Sequence, residues 1–157
     1  MKIIKSPILI FTALVLFTTG VASHELGSNL KPIALGADQT IIDFSKIVWS
    51  PLEVDGLDKG AEIAVIRGDL GKDGSEVLIK TPAGYHVAMH THTSDETYIW
   101  IKGAYTLIGE NGDKHKVKSG MGYISFPGNA PKHALTCDAK DYCLLYVKWS
   151  RPFDIIY

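Results

Sequence analysis

Short runs of hydrophobic and β-branched residues, separated by turn signals, make up most of the chain after residue 40. Runs of this kind, bounded by Gly, Pro, Asn or Asp, are typical of β-strands. After the first 23 residues, apolar positions never recur at helical spacing over twelve residues or more, which argues against long helices. The pattern predicts an all-β fold with strands at 41–49, 62–67, 76–80, 86–92, 97–101, 105–108, 115–117, 123–126, 133–137, 143–149 and 155–157.

The turns between these runs indicate how the strands are arranged. Asn111-Gly112 separates two short runs, and this dipeptide predicts a hairpin with a two-residue turn. Many short strands joined by turns at intervals of about 8–12 residues favour a sandwich or a barrel.

The first 23 residues have a different composition from the rest. Lys2 and Lys5 precede an apolar run at 7–17, and small residues occupy 21–23. This order predicts a secretory signal peptide cleaved after Ser23. The alternative, an uncleaved membrane anchor, is less favoured because a spanning helix needs about 20 apolar residues. We therefore expect a signal peptide at 1–23, an irregular arm at 24–40 and one domain at 41–157, in a secreted or periplasmic protein without membrane contact.

The composition of the 157 residues fits a single globular domain. Sixteen Lys and Arg face 17 Asp and Glu, giving a net charge of −1, and 46% of the residues are hydrophobic. Hydrophobic content of this order argues against disorder. Nucleic-acid-binding proteins carry a clustered basic excess, so we expect no nucleic-acid partner.

The chain has two cysteines, Cys137 and Cys143. Exported proteins fold in an oxidising compartment, which favours a disulfide. Five mostly polar residues separate the two cysteines, and β-rich runs flank them. We predict that the bond closes a hairpin between strands 133–137 and 143–149; two free buried thiols are the alternative.

Histidines cluster between residues 86 and 92, and Glu96 follows closely. On a strand, residues i and i+2 point to the same face, so His90 and His92 can converge on one metal ion. The polar segment 93–95 can reverse the chain and bring Glu96 onto the next strand, where it shares one face with Tyr98 and Trp100.

His86 has the same parity along its strand as His90 and His92. We therefore expect it to point inward, either as a side chain that contacts the metal ligands without binding the metal or as a base at the rim of the pocket. His86 and Glu96 are the candidate catalytic residues. We expect His115 to face solvent, and we assign no role to His24 near the predicted cleavage site.

The spacing around these histidines resembles the first conserved motif of the cupin superfamily. Its positions are Gly84, His90, His92, Glu96 and Gly103. The second motif is represented by residues 120–133, with one residue more than usual between its proline and its histidine.

The resemblance implies a single-domain jelly-roll β-barrel, also called a double-stranded β-helix. It also implies one divalent transition metal per chain, which could be Fe, Mn, Ni, Cu or Zn. The implied ligands are His90, His92, Glu96 and His133.

Four further segments, at 49–52, 67–69, 82–85 and 151–155, resemble the ChrR-like or acetylacetone-dioxygenase-like cupins. This narrower resemblance implies a metal-dependent oxygenase or related lyase acting on a small oxygen-rich molecule, such as a dicarbonyl or a phenolic ketone. The alternatives are a non-catalytic metal or small-molecule binding or sensing module, and a purely structural metal site. A homodimer is a candidate assembly, by analogy with other small cupins. The expected pocket walls are Tyr98, Trp100, Phe126 and Trp149.

Overall fold

Ten strands form two antiparallel sheets in residues 43–157, which are the residues that the computed structural model describes. The predicted signal peptide at 1–23 and the arm at 24–40 lie outside the described residues. The strands are β1 (Ser50–Pro51), β2 (Glu62–Arg67), β3 (Glu76–Pro82), β4 (His86–His90), β5 (Glu96–Lys102), β6 (Ala104–Gly109), β7 (Lys114–Lys118), β8 (Tyr123–Phe126), β9 (His133–Cys137) and β10 (Tyr142–Trp149).

The larger sheet has the strand order β1-β2-β3-β10-β5-β8, and the smaller one has the order β4-β9-β6-β7. This two-sheet arrangement is the predicted jelly roll. Alternating side chains from both sheets form the core, as period-2 patterning requires. On β10, for example, Leu145, Val147 and Trp149 are buried, while the residues between them are more exposed.

The predicted strands at both ends of the domain are wrong. Within 43–49 the chain forms a short 3-10 helix, Phe44–Lys46, and the Asp43 side chain accepts a hydrogen bond from the backbone N of Ser45. This local cap competes with strand pairing. Residues 155–157 form no strand, and only Ile156 makes an isolated bridge, to Thr91.

The β6–β7 hairpin has a three-residue loop, 110–112, instead of the predicted two-residue turn. The backbone N of Gly109 donates to the carbonyl of Asp113, and that of Gly112 donates to the carbonyl of Gly109. Gly112 has a φ of +83°, which is the left-handed residue that such a three-residue loop requires.

The predicted disulfide between Cys137 and Cys143 is present, with a Cα–Cα distance of 5.9 Å. The predicted hairpin is wrong, because β9 belongs to the smaller sheet and β10 to the larger one. The bond therefore ties the two sheets together at one end of the barrel. Gly103, between β5 and β6, allows this contact, since a Cβ there would lie 2.8 Å from the Cys143 Sγ.

Within residues 43–157, no helix is long and apolar enough to cross a membrane.

Candidate metal centre

Three buried imidazoles meet at the end of the barrel opposite the disulfide. His90 ends β4, His92 follows it, and His133 begins β9 directly opposite His90. One ring nitrogen from each histidine lies within 4.8 Å of the others. The three side chains are only 2%, 5% and 3% exposed. Such a cluster could hold a metal ion.

A β-bulge in β4 decides which histidine joins this cluster. Val87 pairs with Leu135 and His90 with His133, so β4 has one residue more than β9 between these pairs. An extra residue inverts the alternation of side chains beyond it. His86 consequently faces outward, where it is exposed and its Nδ1 lies 2.9 Å from the Oγ1 of Thr136. Its predicted inward orientation is wrong.

Backbone carbonyls set the tautomers of two histidines. His90 Nδ1 donates to the carbonyl of Ala88 at 2.7 Å, and His92 Nδ1 donates to the carbonyl of Asp154. A proton on Nδ1 leaves the Nε2 lone pair free, which is the arrangement typical of metal-ligating histidines. The Nε2 of His92 and both ring nitrogens of His133 are buried without a hydrogen-bond partner in the described residues.

Glu96 reaches the same point from the opposite sheet. Its side chain is 1% exposed. One oxygen accepts a hydrogen bond from Trp149 Nε1, and the other accepts one from the Tyr98 hydroxyl at 2.8 Å. Trp149 and Tyr98 therefore fix the carboxylate in place.

The distances between Glu96 and the imidazoles indicate that a cation belongs between them. Glu96 Oε1 lies 3.2 Å from His92 Nε2, and Oε2 lies 3.9 Å from His133 Nε2. A carboxylate oxygen and an imidazole nitrogen with a free lone pair are both acceptors. Two facing acceptors are stable only with a proton or a metal ion between them. The residues therefore fit a metal.

Burial shifts the pKa values of these groups in opposite directions, because it disfavours each charged form. It raises the pKa of Glu96 to about 7, against the effect of the hydrogen bonds from Trp149 and Tyr98. It lowers the pKa of His92 to about 4 and that of His133 to about 3, the latter helped by the other two imidazoles. At neutral pH the imidazoles are therefore neutral, as metal ligands must be. Mixed nitrogen and oxygen donors suit a divalent transition metal.

Asp154 and Ile156 hold the segment 91–93, which contains the metal-ligand candidate His92, in place. The sequence pattern did not predict this role. The backbone carbonyl of Asp154 accepts the hydrogen bond from His92. The Asp154 carboxylate accepts two more, from the backbone N of Thr93 at 2.9 Å and from the Thr93 Oγ1 at 2.6 Å. Ile156 and Thr91 exchange two backbone hydrogen bonds of 2.9 Å. The only signal in the sequence was the resemblance of residues 151–155 to a cupin ending.

The metal centre opens into an apolar cavity inside the barrel. The cavity has a volume of about 70 Å³, measured as the space open to the centre of a water molecule. By this measure one water needs about 10–15 Å³, so the cavity holds roughly five waters or a small organic molecule. Its apolar walls are Leu52, Leu57, Ala61, Ile79, Val87, Leu135, Leu145, Phe153 and Ile155.

The predicted aromatic walls are partly correct. Tyr98 and Trp149 line the cavity beside Glu96. Trp100 is buried in the core and does not line it. Phe126 stacks on the ring of His133, with centroids 4.2 Å apart, and lines a separate groove on the outside of the barrel. That groove also contains His115, which was expected to face solvent and is exposed.

Solved structures with a similar fold include a polyketide cyclase and a predicted oxalate decarboxylase. The polyketide cyclase RemF from Streptomyces resistomycificus has a TM-score of 0.62 and 13% identity, covering 75% of this chain and 84% of its own. A predicted oxalate decarboxylase from Thermotoga maritima has a TM-score of 0.59 and 16% identity, covering 71% and 99%. KdgF from a Halomonas species has a TM-score of 0.56 and 18% identity, covering 71% and 95%.

At these identities, similarity shows the fold alone. An RmlC-like cupin from Shewanella frigidimarina is similar at the same level, with a TM-score of 0.55 and 13% identity. No curated protein matches the sequence. A family model described as "Domain of unknown function (DUF4437)" matches residues 21–156, which is most of the chain. The protein therefore has the fold of the cupin superfamily, and it belongs to the family DUF4437.

Proposed function

We propose that this protein is an exported metal-dependent enzyme, an oxygenase or a related lyase, that acts on a small oxygen-rich molecule such as a dicarbonyl or a phenolic ketone. The observation that carries the proposal is that the cluster of three buried histidines adjoins the apolar cavity. His90 and His92 line the apolar cavity with Glu96, whereas a purely structural site is normally closed on all sides by protein ligands.

In this proposal His90, His92, His133 and Glu96 hold one divalent transition metal, which could be Fe, Mn, Ni, Cu or Zn. When bound, the metal supplies Lewis acidity toward substrate oxygens and, for an oxygenase, a position for O₂. A metal held by these four residues would still have room to bind a substrate, since the cavity adjoins His90, His92 and Glu96.

The protein's own residues prepare the site. The apolar walls exclude water from a bound substrate, which strengthens electrostatic interactions with it. The carbonyls of Ala88 and Asp154 keep the Nδ1 protons of His90 and His92 turned away from the centre. Glu96 balances part of the charge of the metal, since it is the only carboxylate that lines the cavity among the described residues.

The alternative is a binding or sensing module without turnover, and one observation favours it. Both oxygens of Glu96 already accept hydrogen bonds, from Trp149 and Tyr98. Apart from Glu96 and the histidine ligands, no group that titrates near neutral pH lines the cavity among residues 43–157. Such a cavity could bind a ligand at the metal without supplying the general acid or base that many reactions need.

The test begins with elemental analysis of the purified protein, with His90→Ala as the metal-site variant and His115→Ala as the matched histidine control. Consumption of a panel of dicarbonyls and phenolic ketones is then followed with an oxygen electrode in air, and by chromatography with and without O₂. Consumption that needs O₂ supports an oxygenase, and consumption without O₂ supports a lyase. One metal per chain without any consumption supports the binding module. Full metal occupancy in His90→Ala would contradict the assignment of the site.

Export is the remaining part of the proposal, and the disulfide between the two sheets supports it, since disulfides persist mainly outside the cytosol. Intact mass spectrometry of the exported form should show a chain without residues 1–23. A full-length mass in the membrane fraction would contradict cleavage.

A further inference from the structure

The cavity has polar groups at both ends, and the end far from the metal is formed by two hydroxyls. Thr81 on β3 and Tyr105 on β6 both line the cavity, and their side-chain oxygens lie 2.7 Å apart in a buried hydrogen bond. Thr81 pairs with Cys143 and Tyr105 with Cys137. The two hydroxyls therefore lie at the level of the disulfide.

The strand register separates this hydroxyl pair from the metal centre. Tyr105 pairs with Cys137, whereas His133 starts β9 four residues earlier. At about 3.3 Å per residue this is roughly 13 Å along β9. Apolar side chains, including Ile79 and Leu135, line the cavity.

A count of hydroxyl protons shows that the pair is not fully satisfied. Four residues with hydroxyls line the cavity: Thr81, Tyr85, Tyr98 and Tyr105. Tyr85 donates to the carbonyl of Asp58 at 2.6 Å, and Tyr98 donates to Glu96. Thr81 and Tyr105 carry two protons, but their mutual hydrogen bond uses only one. The second proton has no acceptor among residues 43–157.

The side chains at the cavity also limit the charge of what it can bind. No Lys or Arg lines it in the described part of the chain. A phosphate or free carboxylate away from the metal would therefore be buried without a cation to balance its charge, which is costly. The cavity thus suits an uncharged ligand with a polar atom at each end and an apolar segment between them.

We propose that the Thr81–Tyr105 hydroxyl pair is the second anchor of a ligand site that begins at the metal centre. The ligand class is a small uncharged molecule that places one oxygen on the metal and a second oxygen, as hydrogen-bond acceptor, at this pair. The inference rests on the proposed metal centre and narrows its substrate class to molecules with two separated oxygens.

The experiment uses the full protein loaded with Co(II), whose visible spectrum reports ligand binding at the metal. Azide is added first, because its binding requires only an open metal position. The protein is then titrated with 2,5-hexanedione and 2,6-heptanedione, each compared with the monoketone of equal length, 2-hexanone or 2-heptanone. We expect at least one diketone to bind about fivefold more tightly than its monoketone, as one added hydrogen bond predicts.

The variants separate an anchor from a structural contact. Thr81→Val with Tyr105→Phe removes both hydroxyls with little change of shape, so folding and the azide response should persist while the diketone preference is lost. Tyr105→Phe alone leaves the Thr81 hydroxyl with a proton that has no acceptor, so this variant should keep part of the preference. Comparison with it, and with the azide response, shows whether a loss in the double variant comes from the missing hydroxyls or from misfolding. Thr106→Val is the matched control, since its hydroxyl binds Asp138 instead of lining the cavity, and it should keep the preference.

Two results would overturn the inference: equal binding of diketones and monoketones by the wild-type protein, or a preference that survives in the double variant. If azide changes the spectrum in these cases, the metal centre stands and only the second anchor fails. If azide produces no change, the open metal centre of the proposed function fails as well.

Discussion

Glu96 should control how metal affinity depends on pH. In the metal-free protein, burial raises the pKa of Glu96 from 4.5 to about 7 and lowers the pKa values of His92 and His133 to about 4 and about 3. Between pH 5 and 7 these two imidazoles are therefore already neutral, while Glu96 still carries a proton. The metal must displace that proton, because a carboxylate binds metal only when ionised.

The sign and size of the effect follow from this competition. Protonation of Glu96 opposes metal binding, so affinity falls as the pH drops below 7. One displaced proton weakens binding by about tenfold per pH unit, so affinity at pH 5 should be about 100-fold below its plateau above pH 7. Glu96→Gln cannot take up the proton. It should bind more weakly at pH 8 and lose most of the pH dependence between pH 5 and 7.

Competition titrations of Co(II) or Zn(II) against a chelator, at intervals of half a pH unit, would measure both profiles. Calorimetry in buffers of different ionisation enthalpy would count the protons released at pH 6, and the wild-type protein should release close to one proton more than Glu96→Gln. A flat wild-type profile from pH 5 to 7, or the same slope in Glu96→Gln, would refute the reasoning and leave Glu96 outside the coordination of the metal.

Three further predictions concern the elements around the site. His133→Ala should lose bound metal, whereas His86→Ala, whose side chain lies outside the barrel, should retain one metal per chain; elemental analysis that finds the reverse would contradict the site. Asp154→Ala removes the carboxylate that holds Thr93, next to His92. It should lower metal affinity by about 10-fold, as loss of a residue that orients the metal ligands typically does. Unchanged affinity in a chelator competition would show that the contact is only structural. The denatured, unreduced protein should contain no free thiols, and replacing Cys137 and Cys143 by Ala should reduce the free energy of unfolding by less than about 3 kcal/mol, because the closed loop is short; thiol titration and urea denaturation measure these two quantities.

Much of the architecture could be read from local patterns. The strands Glu62–Arg67, Tyr123–Phe126 and His133–Cys137 lie where alternation and turn signals predict them. The shared face of Glu96, Tyr98 and Trp100 is also confirmed, since all three are buried on β5. Both results depend on the period-2 geometry of a strand, which needs no knowledge of its partners.

Other features depended on neighbours that are distant in the sequence. The outward position of His86 follows from a bulge, and a bulge is defined only by the register between β4 and β9. The disulfide joins two sheets because β9 and β10 have different strand partners. A sequence pattern contains neither the register nor the partner of a strand.

The sequence by itself determined the all-β class, the spacing that places His90 and His92 near Glu96, and the cysteine pair, because each depends on residue types and local periodicity. The tertiary structure decided the rest: which histidines face inward, how the Asp154 carbonyl binds His92, and how Thr81 and Tyr105 meet across the cavity. These contacts join residues up to 62 positions apart. Only closure of the barrel brings them together, because packing the two sheets against each other fixes distances that no local pattern specifies.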